Sequence, residues 1–155
     1  MMDLILWRHA EAEDGSDDLA RALTRKGQQQ ASAMAAWLRP HLPNNYRLLV
    51  SEARRSRQTG AVLGKHAEVV PAINPGASAA EVLSAIGWPD ATGTLVLVGH
   101  QPYIGQVASL LLADAEQDWS VKKGAVWWIQ NRERNGGEES VLKVMMTPGM
   151  VGDAE

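Results

Sequence analysis

The chain has 155 residues, 45% of them hydrophobic, which is enough for one domain with a real core and too little for two comfortable ones. Its formal net charge is −3, so nothing global invites nucleic acid or an anionic membrane, and any positive potential has to be local. The absence of cysteine excludes disulfides, thiolate catalysis and cysteine-zinc sites.

In chain order, Leu4-Ile5-Leu6-Trp7 is a short apolar run that stops at Arg8-His9 and predicts a strand buried on both faces. Glu11 to Asp18 is acidic, contains Gly15 and Ser16, and reads as loop. Ala31, Met34, Ala35 and Leu38 keep helical spacing in a segment that starts after Thr24 and is ended by Pro40 and Pro43. Arg47–Val50 predicts a second buried strand ending at Ser51, and a helix over Ala53–Lys65 follows. Val69-Val70 is a short strand, Pro71–Gly76 a loop, and Ala79–Ile86 a short helix stopping near Gly87. Leu95–Val98 is the clearest buried strand and ends at Gly99-His100. Pro102 is expected to open the next helix, which runs to about Ala113. Ala125–Ile129 and Val141–Met146 predict closing strands joined through the polar turn Arg134-Asn135-Gly136-Gly137, and the last few residues read as a frayed tail.

Alternating strands and helices argue one domain over residues 1–155, a three-layer α/β/α sandwich with a mostly parallel central sheet. Asp3 and Arg8 bracket a run too short for a signal peptide, and no apolar stretch approaches the roughly 20 residues of a spanning helix. A cytoplasmic monomer that uses no membrane is the default expectation.

Three buried strands end alike: at Arg8-His9, at Ser51 with Arg54, Arg55 and Arg57 just beyond, and at Gly99-His100. In a parallel sheet such carboxyl ends share one edge, where these folds bind ligands. Helices starting near Ser51 and Pro102 favour an anion at that edge. A lone histidine at a strand end is usually a satisfied polar group, and arginines opening an exposed helix are usually a solvated face. Two histidines and an arginine, each directly after a separate apolar strand, are harder to obtain by accident. The expected ligand is phosphate or a phosphoryl group. A metal is not expected, because a divalent cation beside Arg8 and Arg55 is repelled and no carboxylate completes its shell.

Arg8-His9-Ala10-Glu11-Ala12 resembles the arginine-histidine-glycine motif that opens the histidine phosphatase superfamily, also called phosphoglycerate mutase-like. Ser51 through Thr59 resembles its second motif, serine, three residues, arginine, two residues, glutamine-threonine, with Arg55 on the motif arginine. Gly99-His100-Gln101-Pro102 resembles the third. Arg21-Ala22-Leu23-Thr24, followed by Gly27, is similar to a segment of the short SixA-type phosphohistidine phosphatase branch. The likeness runs from Met1 to about Met146. Ala10 stands where glycine is usual and Ala22 where proline is usual, and neither change removes a group that does chemistry.

The resemblance implies a phosphoglycerate mutase-like fold and a metal-independent, cofactor-free phosphatase. His9 attacks phosphorus, Arg8 and Arg55 clamp the phosphoryl oxygens, and His100, when protonated, adds a charged donor. Arg21, Ser51, Gln101 and Glu11 are the candidate substrate contacts. The family position for a general acid after the second histidine is occupied here by Gln101, and 74–80 contains no acid. A leaving group that departs without acid help therefore fits best, and phosphohistidine on a partner protein is such a case. Inorganic phosphate is the product. The alternatives are a small-molecule phosphomonoesterase with Glu11 as acid, and a catalytically silent phosphate- or phosphoprotein-binding module.

Overall fold

A core of large, fully buried side chains that includes Trp7, Tyr103, Leu4, Ile5 and Leu6 organises the molecule in this computed structural model, which describes residues 1–152. The expected frayed tail falls partly on 153–155, outside the described residues. Six strands form one sheet in the order β3-β2-β4-β1-β5-β6. They are β1 (Met2–Arg8), β2 (Arg47–Val50), β3 (Ala67–Val69), β4 (Gly93–Gly99), β5 (Val126–Arg134) and β6 (Gly137–Met146). The first four are mutually parallel; β5 runs antiparallel to β1, and β6 antiparallel to β5.

Four helices cover the sheet: α1 (Arg25–Leu38), α2 (Arg54–Ala61), α3 (Ala79–Ile86) and α4 (Tyr103–Ala113). Strand side chains alternate between two cores. Leu4, Leu6, Leu95 and Leu97 meet Val82 and Ile86 of α3 and Ile104 and Val107 of α4. Ile5, Trp7, Val96 and Val98 meet Met34, Ala35 and Leu38 of α1. The sheet is thus the middle of three layers, as the unbroken apolar runs of β1 and β4 require.

The differences from expectation are local. Helix α2 stops at Ala61 rather than Lys65, because the chain turns through Leu63 and reaches Gly64 in the left-handed region at φ 73°. Strand β3 lies at Ala67–Val69, one step earlier than Val69-Val70. Val70 still donates to Val50, but Pro71 has no N–H with which to continue. Pro102 sits just before the first helical residue of α4 rather than inside it. The closing hairpin extends well past its apolar part. Its outer end is polar and is joined across the strands by Arg132 and Glu139 at 2.9 Å. Asn135 and Gly136 both take positive φ (53° and 80°), the conformation of a tight two-residue hairpin turn. Among the described residues no helix is long and apolar enough to cross a membrane.

Candidate active site

The parallel register brings three chain exits to one edge. Arg8 pairs with Gly99 and Val50 with Val98, so the residues leaving β1, β2 and β4 are neighbours: His9, Ser51 and His100. The His9 and His100 rings stand 5.1 Å apart between centroids, although 91 residues separate them in sequence by their numbers. A cavity of about 210 Å³ opens there, and Arg8, His9, Arg21, Arg55, His100 and Gln101 are among its lining residues. Six of the eight expected site residues therefore converge.

His9 is buried and its ring is oriented by the backbone. Nδ1 lies 2.7 Å from the Ala10 carbonyl. A carbonyl only accepts, so Nδ1 carries the proton and the Nε2 lone pair is left for chemistry. Burial pushes the His9 pKa down to about 4; the positive charges of Arg55, Arg8 and Arg21 push the same way, against the bond to Ala10. Burial is also the main cause at His100, which falls to about 3, with His9 and Arg55 adding to the effect. Both imidazoles are neutral near pH 7. The expectation concerned His100 protonated beside a bound phosphoryl group; in the free protein, burial and the neighbouring positive charges favour the neutral ring.

The second motif works as a bracket. Ser51 Oγ is 2.7 Å from His100 Nε2 and accepts from the Ala53 amide at 3.1 Å. Arg55, only 4% exposed, projects from the first turn of α2 into the cavity lining. Gln58 Oε1 accepts from Leu23 N at 2.7 Å, which pins the Arg21 loop. Thr59 Oγ1 accepts from Ala10 N at 3.1 Å and donates to Arg55 O at 2.7 Å, which ties the loop after His9 to the same helix. Arg54 and Arg57 are exposed, as a solvated helix face should be.

The two departures from the family pattern are absorbed. Ala10 is fully buried against Leu23 and Ala31, and its φ is not positive, so its methyl fills space without strain. The loop carrying Ala22 is held by Glu13 N donating to Ala22 O at 2.7 Å and Thr24 N donating to Glu11 O at 3.0 Å. Gly27 is needed there: a Cβ on it would lie 2.0 Å from the Glu11 carbonyl.

Three expected substrate contacts are used otherwise. Ser51 is completely buried and does not line the cavity; its hydroxyl orients His100. Gln101 lines the cavity, but its amide is spent on Trp119 O at 2.9 Å and Gly105 N at 2.8 Å. Glu11 accepts from Thr24 Oγ1 at 2.8 Å and lines a neighbouring groove, not the cavity. Arg21 does reach the cavity, held by Glu13 O at 2.7 Å and Asp18 at 3.0 Å.

Asp18 was not foreseen. Its carbonyl accepts from Arg55 at 2.6 Å and its carboxylate from Arg55 at 3.1 Å. Bonding to Arg21, then to Arg55, holds its carboxyl below the usual carboxylate range. The available signal was its position three residues before Arg21. Lys123 also lines the cavity, and nothing in the sequence around it announced that. Among the described residues, no three His, Asp or Glu side chains come together as a metal-binding cluster.

The fold is thus a mostly parallel α/β sheet whose carboxyl edge carries two histidines, the buried Arg55 and the half-buried Arg8. Residues 4–78 match the model of the histidine phosphatase superfamily (branch 1). The chain is 34% identical over 121 residues to an uncharacterised protein of Mycobacterium tuberculosis, covering 74% of this chain and 75% of that one. It is 28% identical over 120 residues to the phosphohistidine phosphatase SixA of Escherichia coli, covering 71% and 74%. The fold superposes on the structure of the protein histidine phosphatase SixA complexed with tungstate with a TM-score of 0.78 at 24% identity, covering 97% of this chain and 99% of that one. The chain belongs to the histidine phosphatase superfamily.

Proposed function

We propose that this protein is a phosphohistidine phosphatase acting on a histidine-phosphorylated partner protein, with His9 as nucleophile. One observation carries the reading: a neutral, backbone-oriented imidazole shares a small cavity with Arg8 and Arg55. Among the described residues the buried side-chain nitrogens without a partner are Arg8 Nε, Arg55 Nε and His100 Nδ1, and all belong to residues of this cavity. Unpaired buried polar groups are costly, and proteins keep them where a ligand uses them. The SixA relatives named above, one of them bound to tungstate, an oxyanion, support the assignment.

In this mechanism the His9 Nε2 lone pair forms a bond to phosphorus while the bond from phosphorus to the substrate's imidazole nitrogen breaks. Arg8 and Arg55 stabilise the equatorial oxygens, which carry the charge of the transition state. Ser51 holds His100 so that its ring faces the same group. The substrate imidazole, protonated on its other nitrogen, departs neutral and asks no acid of the protein. Water then attacks the phosphorus of phosphorylated His9, releasing inorganic phosphate and restoring the imidazole. The guanidiniums supply the positive charge that a metal supplies in other phosphatases.

Leaving-group discrimination tests this. General acid catalysis contributes roughly 10²–10⁴-fold. Without it, a histidine-phosphorylated carrier and aryl phosphates with acidic phenols are turned over, and alkyl or sugar phosphates much more slowly. A flat dependence on the leaving group favours the phosphomonoesterase alternative instead.

A further inference from the structure

A second and larger concavity adjoins the catalytic cavity. It holds about 420 Å³, and its lining includes Arg8, Lys26, Lys122 and Lys123, with Glu11 as the one carboxylate. Arg8 and Lys123 line both spaces, so the groove and the cavity are immediate neighbours. Four cations against one anion form a strongly positive trough on a chain whose net charge is −3. Lys26, Lys122 and Lys123 are exposed, and among the described residues none has a carboxylate partner.

The trough is built into the catalytic scaffold. The Gly124 amide donates to both Arg8 O and His9 O at 3.1 Å, and Arg8 donates through its guanidinium to Val121 O at 2.7 Å. Trp7 Nε1 donates to Gly124 O at 3.0 Å. The turn that carries Lys122 and Lys123 is thereby locked to the chain at the nucleophile. Lys26 is locked by its neighbour Gly27, which packs against the Glu11 backbone too closely for any side chain. On the phosphatase reading above, the phosphoryl group goes to the smaller cavity, which leaves the trough to whatever the substrate carries beside it.

We propose that this trough receives acidic side chains flanking the phosphohistidine of the partner protein, and so selects partners whose phosphorylated histidine lies in an acidic stretch. The proposal rests on the phosphohistidine reading above. Nucleic acid fits the trough less well, because it needs a long cationic track that counts phosphates, and this one is short and local. Surface ion pairs are individually weak and are screened by salt. The selection is therefore a matter of roughly tenfold, and is salt-dependent.

The test uses the full chain and Lys26→Glu/Lys122→Glu, two positions in the trough but outside the catalytic cavity. Fluorescence anisotropy reads the trough alone, with an unphosphorylated acidic peptide, its neutral counterpart and a single-stranded oligonucleotide. Turnover of the two peptides in histidine-phosphorylated form, and of an aryl phosphate, reads the catalytic centre. The wild type is expected to bind the acidic peptide about tenfold more tightly than the neutral one, a preference lost in the variant and at 0.5 M salt. Aryl phosphate turnover by the variant should match wild type. Equal binding of both peptides by the wild type, a preference that survives in the variant, or binding of the oligonucleotide in place of the acidic peptide overturns the proposal. If acidic preference is present but neither phosphorylated peptide is turned over, the phosphohistidine reading fails, and the proposed role of the trough in selecting such substrates fails with it. Turnover without acidic preference overturns the trough alone.

Discussion

Asp18 holds Arg55 at two points, through its backbone carbonyl at 2.6 Å and its carboxylate at 3.1 Å, while the same carboxylate takes Arg21 at 3.0 Å. A half-exposed residue in an acidic loop thus aims a buried guanidinium that the proposed mechanism relies on. A clamp works only if its fork is pre-aimed, because misplacement sacrifices orientation.

Asp18→Asn keeps the carbonyl contact and removes the charge. The expected result is a roughly tenfold fall in kcat/KM with little change in thermal stability, the scale of one charge-assisted hydrogen bond. The clamp should also persist in acid: a carboxyl with a lowered pKa loses its charge only as pH falls below the ordinary carboxylate value near 3.9. Full activity in Asp18→Asn would show that Arg55 aims itself.

The three arginines of α2 separate buried from exposed roles. Arg55→Ala is expected to lower kcat/KM by roughly 10²–10³-fold, the scale of losing one preorganised donor. Arg54→Ala and Arg57→Ala should each shift stability by about 0.5 kcal/mol or less and leave turnover near wild type. Steady-state kinetics and denaturant unfolding on the three variants decide this, and equal effects at all three would contradict the placement of Arg55.

Much of this was legible in the sequence, for physical reasons. Unbroken apolar runs as short as Leu4–Trp7 and Leu95–Val98 suit strands buried on both faces, and parallel packing brings their carboxyl ends together. His9 and His100 each directly follow one of these runs. What stayed hidden depended on side-chain direction. Ser51, Gln101 and Glu11 sit beside the site in sequence, yet their polar atoms are taken up by His100, Trp119 and Thr24. Lys123 enters from the turn before β5, an approach fixed by the Gly124 contacts with Arg8 and His9, which no local pattern reveals.

The neutral histidines give a pH signature. A histidine whose folded pKa lies near 4 or 3, against about 6.5 when unfolded, is deprotonated in the fold. As pH falls from about 6.5 towards those values the unfolded chain takes up protons the folded chain refuses, so stability declines across that window and is regained as pH rises. Nitrogen-15 NMR titration should find His9 and His100 still neutral at pH 5. Midpoints near 6.5 for either ring would refute the burial argument.

Glu11 lies outside the catalytic cavity with its carboxylate bonded to Thr24. Glu11→Gln is accordingly expected to change phosphohistidine turnover by less than threefold, far below the roughly 10²–10⁴-fold of a general acid. A loss in that larger range would place a proton donor at Glu11 and turn the reading towards a phosphomonoesterase.

In the proposed mechanism His9 carries the phosphoryl group between substrate and water. The direct measurement is rapid mixing with a phosphorus-32-labelled histidine-phosphorylated carrier, quenching in alkali, which preserves phosphorus–nitrogen bonds, and locating the label by peptide mapping. The expected result is a transient, acid-labile label on His9, absent in His9→Ala, whose turnover falls on the order of 10³-fold or more while its fold is retained. Label on another residue, or near-normal turnover by His9→Ala, would contradict it.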